Sequence, residues 1–63
     1  MFEVKIRTGG AAFKDPDGNF DDLYEAFEIK RLLDGINLAI REGRNSGSII
    51  DINGNKVGEW RLD

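Results

Sequence analysis

Two strand-like runs flank Asn53-Gly54 within Gly47 to Leu62, G-S-I-I-D-I-N-G-N-K-V-G-E-W-R-L, and no other stretch restricts the fold as strongly. An Asn-Gly pair tolerates the positive φ angles that tight hairpins demand, so apolar runs on both sides predict two antiparallel strands joined at this pair. A lone hairpin does not persist in water. The remaining residues must therefore supply a third strand and a cover for the apolar face. A three-residue loop at Asn53-Gly54-Asn55 brings Ile50 and Ile52 to the same side as Trp60 and Leu62, whereas a two-residue loop shifts the register by one and turns Val57 inward. Trp60 reads as a core anchor. Asp51 either points outward or hydrogen-bonds the turn amides.

At 63 residues the chain is one domain, 1–63, and a chain of this size buries only about 60% of the surface its unfolded form exposes. Its core is thin, and disulfides, metals or self-association commonly supplement such cores. With no cysteine and no histidine, disulfides and the usual thiolate and imidazole ligands are excluded, as is a Cys or His nucleophile or base. No cofactor is expected. Met1-Phe2-Glu3-Val4-Lys5 lacks the charged lead-in and apolar run of a secretory signal, and no later stretch approaches a membrane span, so the expectation is a cytoplasmic protein without membrane contact.

A net charge of −3 argues against a dedicated nucleic-acid binder, but the charge is unevenly spread. Asp15, Asp17, Asp21, Asp22, Glu25 and Glu28 are six of the twelve acids, with no base among them; elsewhere nine bases face six acids. A modest positive surface outside the acidic window is the consequence.

Phe2-Glu3-Val4-Lys5-Ile6-Arg7 alternates apolar and charged residues with the period of a half-buried strand: Phe2, Val4 and Ile6 inward, Glu3, Lys5 and Arg7 outward. Thr8-Gly9-Gly10 ends it. Ala11-Ala12-Phe13 reads as a tuck against the sheet edge or a short extra strand near 11–13, with Phe13 in the core. In the turn-rich segment that follows, Asp15, Asp17, Asn19 and Asp21 occupy positions 1, 3, 5 and 7 of a calcium loop. Phe20 stands where that loop wants Gly and Ala26 where it wants a bidentate Glu, so the pattern describes at most a weak calcium site.

From about Leu23 to Glu42 the period becomes helical. Ile29, Leu32, Leu33, Ile36 and Ile40 form one apolar stripe with Ala26 and Ala39 at its margins. Asp21 or Asp22 suits the N-cap, Glu25 and Glu28 the positive end, Arg41 and Arg44 the negative end, and Gly43 the left-handed stop. Tyr24, Phe27 and Leu38 lie nearly opposite the Ile29 stripe, and Gly35 interrupts the helix at a cost of about 1 kcal/mol against Ala. Two explanations stand: a folded-back loop carrying Phe13 and Phe20 covers Tyr24 and Phe27, or Tyr24, Phe27, Leu38 and the Gly35 notch meet a protein partner, most simply a second copy of the chain.

These elements assemble as an α+β two-layer sandwich. Its order is β-α-β-β, a split β-α-β unit, with the last strand between the first two and antiparallel to both, one helix on one face, and the other face wet.

The run Gly47-Ser48-Ile49-Ile50-Asp51-Ile52-Asn53-Gly54-Asn55-Lys56-Val57-Gly58-Glu59-Trp60, with Gly10-Ala11-Ala12-Phe13 and the helix ending in Glu42-Gly43, resembles a family of small uncharacterised proteins from bacterial plasmids, conjugative elements and phages. The shared pattern is G-x-I-x-D-x-N-G-N-x-V-G-x-W. The resemblance implies an accessory gene of a mobile genetic element and no particular chemistry.

For function, an enzyme is set aside, because no His, no Cys and no organised pair of acids on rigid elements is present. A protein-interaction module comes first, invited by the thin core, the second apolar helix face and an uncovered sheet edge. The alternative is weak nucleic-acid contact through the outer sheet face by Lys5, Arg7 and Arg61, diluted by Glu3 and Glu59.

Overall fold

A computed structural model of residues 1–63 contains β1 (Phe2–Ile6), a 3₁₀ turn (Ala11–Phe13), α1 (Asp22–Arg41), β2 (Ser46–Ile50) and β3 (Lys56–Leu62). The strands form one sheet in the order β1-β3-β2, with β3 antiparallel to both neighbours. This is the expected split β-α-β sandwich. Its core is Phe13, Leu32, Ile36, Ile49, Val57 and Trp60, with Val4, Ile6, Ala12, Ile29, Ala39 and Ile40 packed around it.

Helix α1 begins and ends on local chemistry. The Asp21 carboxylate accepts from the Leu23 amide at 2.8 Å, with extended backbone at Asp21, which makes Asp21 the N-cap. At the other end Gly43 adopts φ 89°, its N–H donates to the Ile40 carbonyl at 3.0 Å, and the Arg44 N–H donates to the Ala39 carbonyl at 3.0 Å. Those two bonds form a Schellman stop, which needs the left-handed glycine.

Three expectations are corrected by the packing. Ala11–Phe13 is a 3₁₀ turn and not an extra strand: the Phe13 and Lys14 amides donate to the carbonyls of Gly10 and Ala11, curling the segment so that Phe13 is fully buried. Local bonding and one aromatic in the core outweigh pairing at a sheet edge. Leu33 is exposed although the stripe includes it, because the buried line of α1 runs through Glu28, Leu32 and Ile36.

The hairpin also turns one residue earlier than expected. The loop is Ile52-Asn53-Gly54, closed by Asp51 and Asn55, whose bond runs from the Asp51 amide to the Asn55 carbonyl at 2.8 Å. Ile50 and Ile52 consequently face solvent, and Ile49 enters the core. The register then slips: Ile49 opposes Gly58 while Ile50 opposes Lys56, leaving Val57 unopposed. This bulge explains how Val57 and Trp60, three residues apart, are both buried. Gly58 is needed there, since a β-carbon built on it would overlap the Lys5 carbonyl of β1.

Candidate interaction surface

The outer side of α1 carries the first candidate surface. Tyr24, Phe27 and Leu38 are exposed by 40%, 59% and 53%, and Leu23 and Phe20 are exposed as well. The folded-back segment borders Tyr24, which shares a shallow cavity with Ala11, Lys14 and Pro16, but it leaves Phe27 open: Phe13 has gone into the core, and Phe20 lies beneath the Lys14 ammonium, 5.0 Å from its ring centroid. Sequence spacing gathers Leu23, Tyr24 and Phe27 on one side of the first two turns of the helix, with Phe20 just before them, while Asp22 and Glu25 fall on the other side. Leu38 lies eleven residues beyond Phe27, about 16 Å along the axis at 1.5 Å per residue. Gly35 is not a notch in that patch; it lines a shallow groove between α1 and β2 with Leu32, Ile36, Ser48 and Trp60.

On the outer sheet face the β1–β3 register sets Glu3 opposite Arg61 and Lys5 opposite Glu59. Acids and bases alternate there. Arg61 approaches Glu3 at 3.8 Å and Asp63 at 3.5 Å, and the Arg7 guanidinium donates to the Lys56 carbonyl at 2.6 Å. Lys5, Arg7 and Arg61 are thus dispersed among carboxylates and backbone acceptors and do not form a continuous positive strip.

In the acidic segment, two of the four side chains assigned to a calcium loop, Asp15 and Asp21, are engaged with backbone, and Asp17 and Asn19 take part through their amides. Asp15 accepts from the Asp17 and Asn19 amides at 3.0 and 2.9 Å, and Asp21 caps α1. No three acidic side chains converge as a metal-binding group.

The same turn occurs twice in the chain. In D15-P-D-G-N19 and D51-I-N-G-N55 the first Asp amide donates to the last Asn carbonyl (2.9 and 2.8 Å). The Gly amide returns to the Asp carbonyl at 2.9 and 3.0 Å. Each Asp carboxylate accepts from the amides two and four residues on. Gly18 and Gly54 have φ 82° and 85°, and no other residue of either turn has positive φ, which excludes the type I′ hairpin turn that Asn-Gly suggests. The signal available was the repeated D-x-[D/N]-G-N.

The second copy is anchored from above. Glu28, 6% exposed on the sheet side of α1, accepts from the Ile52 amide at 2.8 Å and from Arg31 Nε and Nη2 at 2.7 and 3.1 Å. Arg31 holds the Glu28 carboxyl below its ordinary value, with the Ile52 N–H adding to an effect that burial opposes. Glu28 in turn pushes the Arg31 guanidinium further up. This ion pair fastens the helix to the hairpin turn; its chemistry is architectural.

No helix is long and apolar enough to cross a membrane. Compared with protein-family models, curated proteins and solved structures, the chain finds no match.

Proposed function

We propose that this chain is a small non-catalytic protein-interaction module that docks through the exposed start of α1, in an accessory role consistent with the hairpin's likeness to plasmid and phage proteins. The observation that carries the reading is the exposure of Leu23, Phe27 and Leu38 on the outer side of α1 in a molecule with only six apolar core residues. An apolar patch rimmed by polar groups is a common form of binding surface. The complementary partner is an apolar groove on another protein, into which Leu23 and Phe27 insert.

Affinity capture with the purified chain tests this. A partner retained by the wild type and lost with Phe27→Asp supports the proposal, provided the variant keeps its circular dichroism and melting midpoint. Partners that bind Phe27→Asp as tightly as wild type would remove it.

A further inference from the structure

The two edges of the sheet are finished differently. Hydrogen-bonded and non-hydrogen-bonded residue pairs alternate along antiparallel strands. On the β2 side the Leu62 amide donates to the Asn45 carbonyl at 2.7 Å, so Ser46, opposite Arg61, is a non-hydrogen-bonded position. Ser46, Ser48 and Ile50 thus aim their backbone groups outward. Arginines occupy both ends of that row: Arg44 Nη2 lies 3.4 Å from the Ser46 carbonyl and Arg31 Nη2 lies 3.4 Å from the Ile50 carbonyl. On the β1 side the Arg7 amide donates to the Val57 carbonyl at 2.7 Å, next to the Ile6–Gly58 pair. Alternation then leaves the N–H and C=O groups of Phe2, Val4 and Ile6 pointing outward, and none of the side-chain hydrogen bonds reaches them.

An open row of this kind is a template for another strand. From its charge pattern we infer that β1 pairs antiparallel with β1 of a second copy, about a twofold axis through Val4. In that register Phe2 meets Ile6 of the other copy and Val4 meets Val4, using every free backbone group in the row. Glu3 meets Lys5 of the other copy on both sides of the axis. These charged pairs occupy non-hydrogen-bonded positions, where facing side chains come closest. Moving the axis by one residue sets Glu3 against Glu3 or Lys5 against Lys5, and loses one backbone pair. Of the three registers, one is complementary in charge. Its twofold axis stands normal to the sheet, so both helices lie on the same side, and Phe2, half exposed in one copy, gains an apolar neighbour across the junction. This surface is distinct from the start of α1.

Sedimentation over a concentration series and amide exchange on the full chain test the inference. The expected result is a monomer–dimer equilibrium that Lys5→Glu or Glu3→Lys alone weakens at least about tenfold, because each places like charges face to face. An equimolar mixture of the two variants restores association, since every cross-strand pair is again Glu with Lys. In the wild type, protection of the Phe2, Val4 and Ile6 amides rises with concentration. The inference is overturned if the mixture associates no better than its components, or if those amides exchange at concentration-independent rates. It is equally overturned if Phe27→Asp, and not the strand charges, abolishes dimers. Exchange on the wild type decides the matter even if a variant fails to fold.

Discussion

Asp15–Asn19 and Asp51–Asn55 bend the chain through the same bonds, and they sit in opposite surroundings. The first lies at the surface, closing a single bridge between Lys14 and Phe20. The second joins β2 to β3 and has Asp51 6% exposed, with Glu28, itself paired to Arg31, accepting from the following amide. Local sequence makes the turn; what is packed around it sets what the turn is worth. The first turn shows what five residues do alone, and the second what they do when a helix holds them.

The largest test of that difference removes the bracing carboxylate. Asp51→Ala leaves two partly buried amides, those of Asn53 and Asn55, without their acceptor and should cost about 3 kcal/mol in urea unfolding. Asp15→Ala frees amides that water can reach, and should cost about 1 kcal/mol. Equal losses would mean that the surroundings contribute nothing.

A somewhat smaller effect comes from the anchor. Glu28→Gln keeps an acceptor for the Ile52 amide but loses the charge facing Arg31, a change of about 2 kcal/mol at neutral pH. Because the folded carboxyl titrates below its ordinary value of 4.5, its stabilisation is present above that value and fades as pH falls through the lower folded one. The gap between wild type and Glu28→Gln should therefore be constant near neutrality and narrow on acidification below pH 4.5. A gap that widened in acid would contradict the assigned ion pair.

The smallest effects should be the most alike. Gly18→Ala and Gly54→Ala each force a β-carbon into left-handed backbone, and neither meets another atom within 4 Å. Each should lose about 1 kcal/mol by thermal melting, a local penalty shared by both turns. A much larger loss at Gly54 would show that the helix strains its turn as well as anchoring it.

Much of the architecture was legible in the sequence. Alternation in Phe2–Arg7, the 3.6-residue period from Ile29 to Ile40, the Asp21 cap and the Gly43 stop are local signals, and each produced its element. The exposure of Tyr24, Phe27 and Leu38 was legible too, as one of two alternatives from helical angle alone. Glu28 was misplaced because an acid in the first turns of a helix satisfies the dipole argument without revealing a buried partner. It shares the line of Leu32 and Ile36, and that was the missed clue. Ile50 and Ile52 were misplaced because hairpin register depends on one residue of loop length, and a single slip exchanges the faces.

By itself, then, the amino-acid sequence determined where strands, helix and turns form, since periodicity, capping and glycine conformation act over a few neighbouring residues. Only tertiary structure decided which isoleucine enters the core, which of two like turns is locked, and which sheet edge is left open. Those outcomes depend on groups far apart in the chain, such as Glu28 and Ile52 or Gly58 and Lys5, whose contact no local pattern encodes.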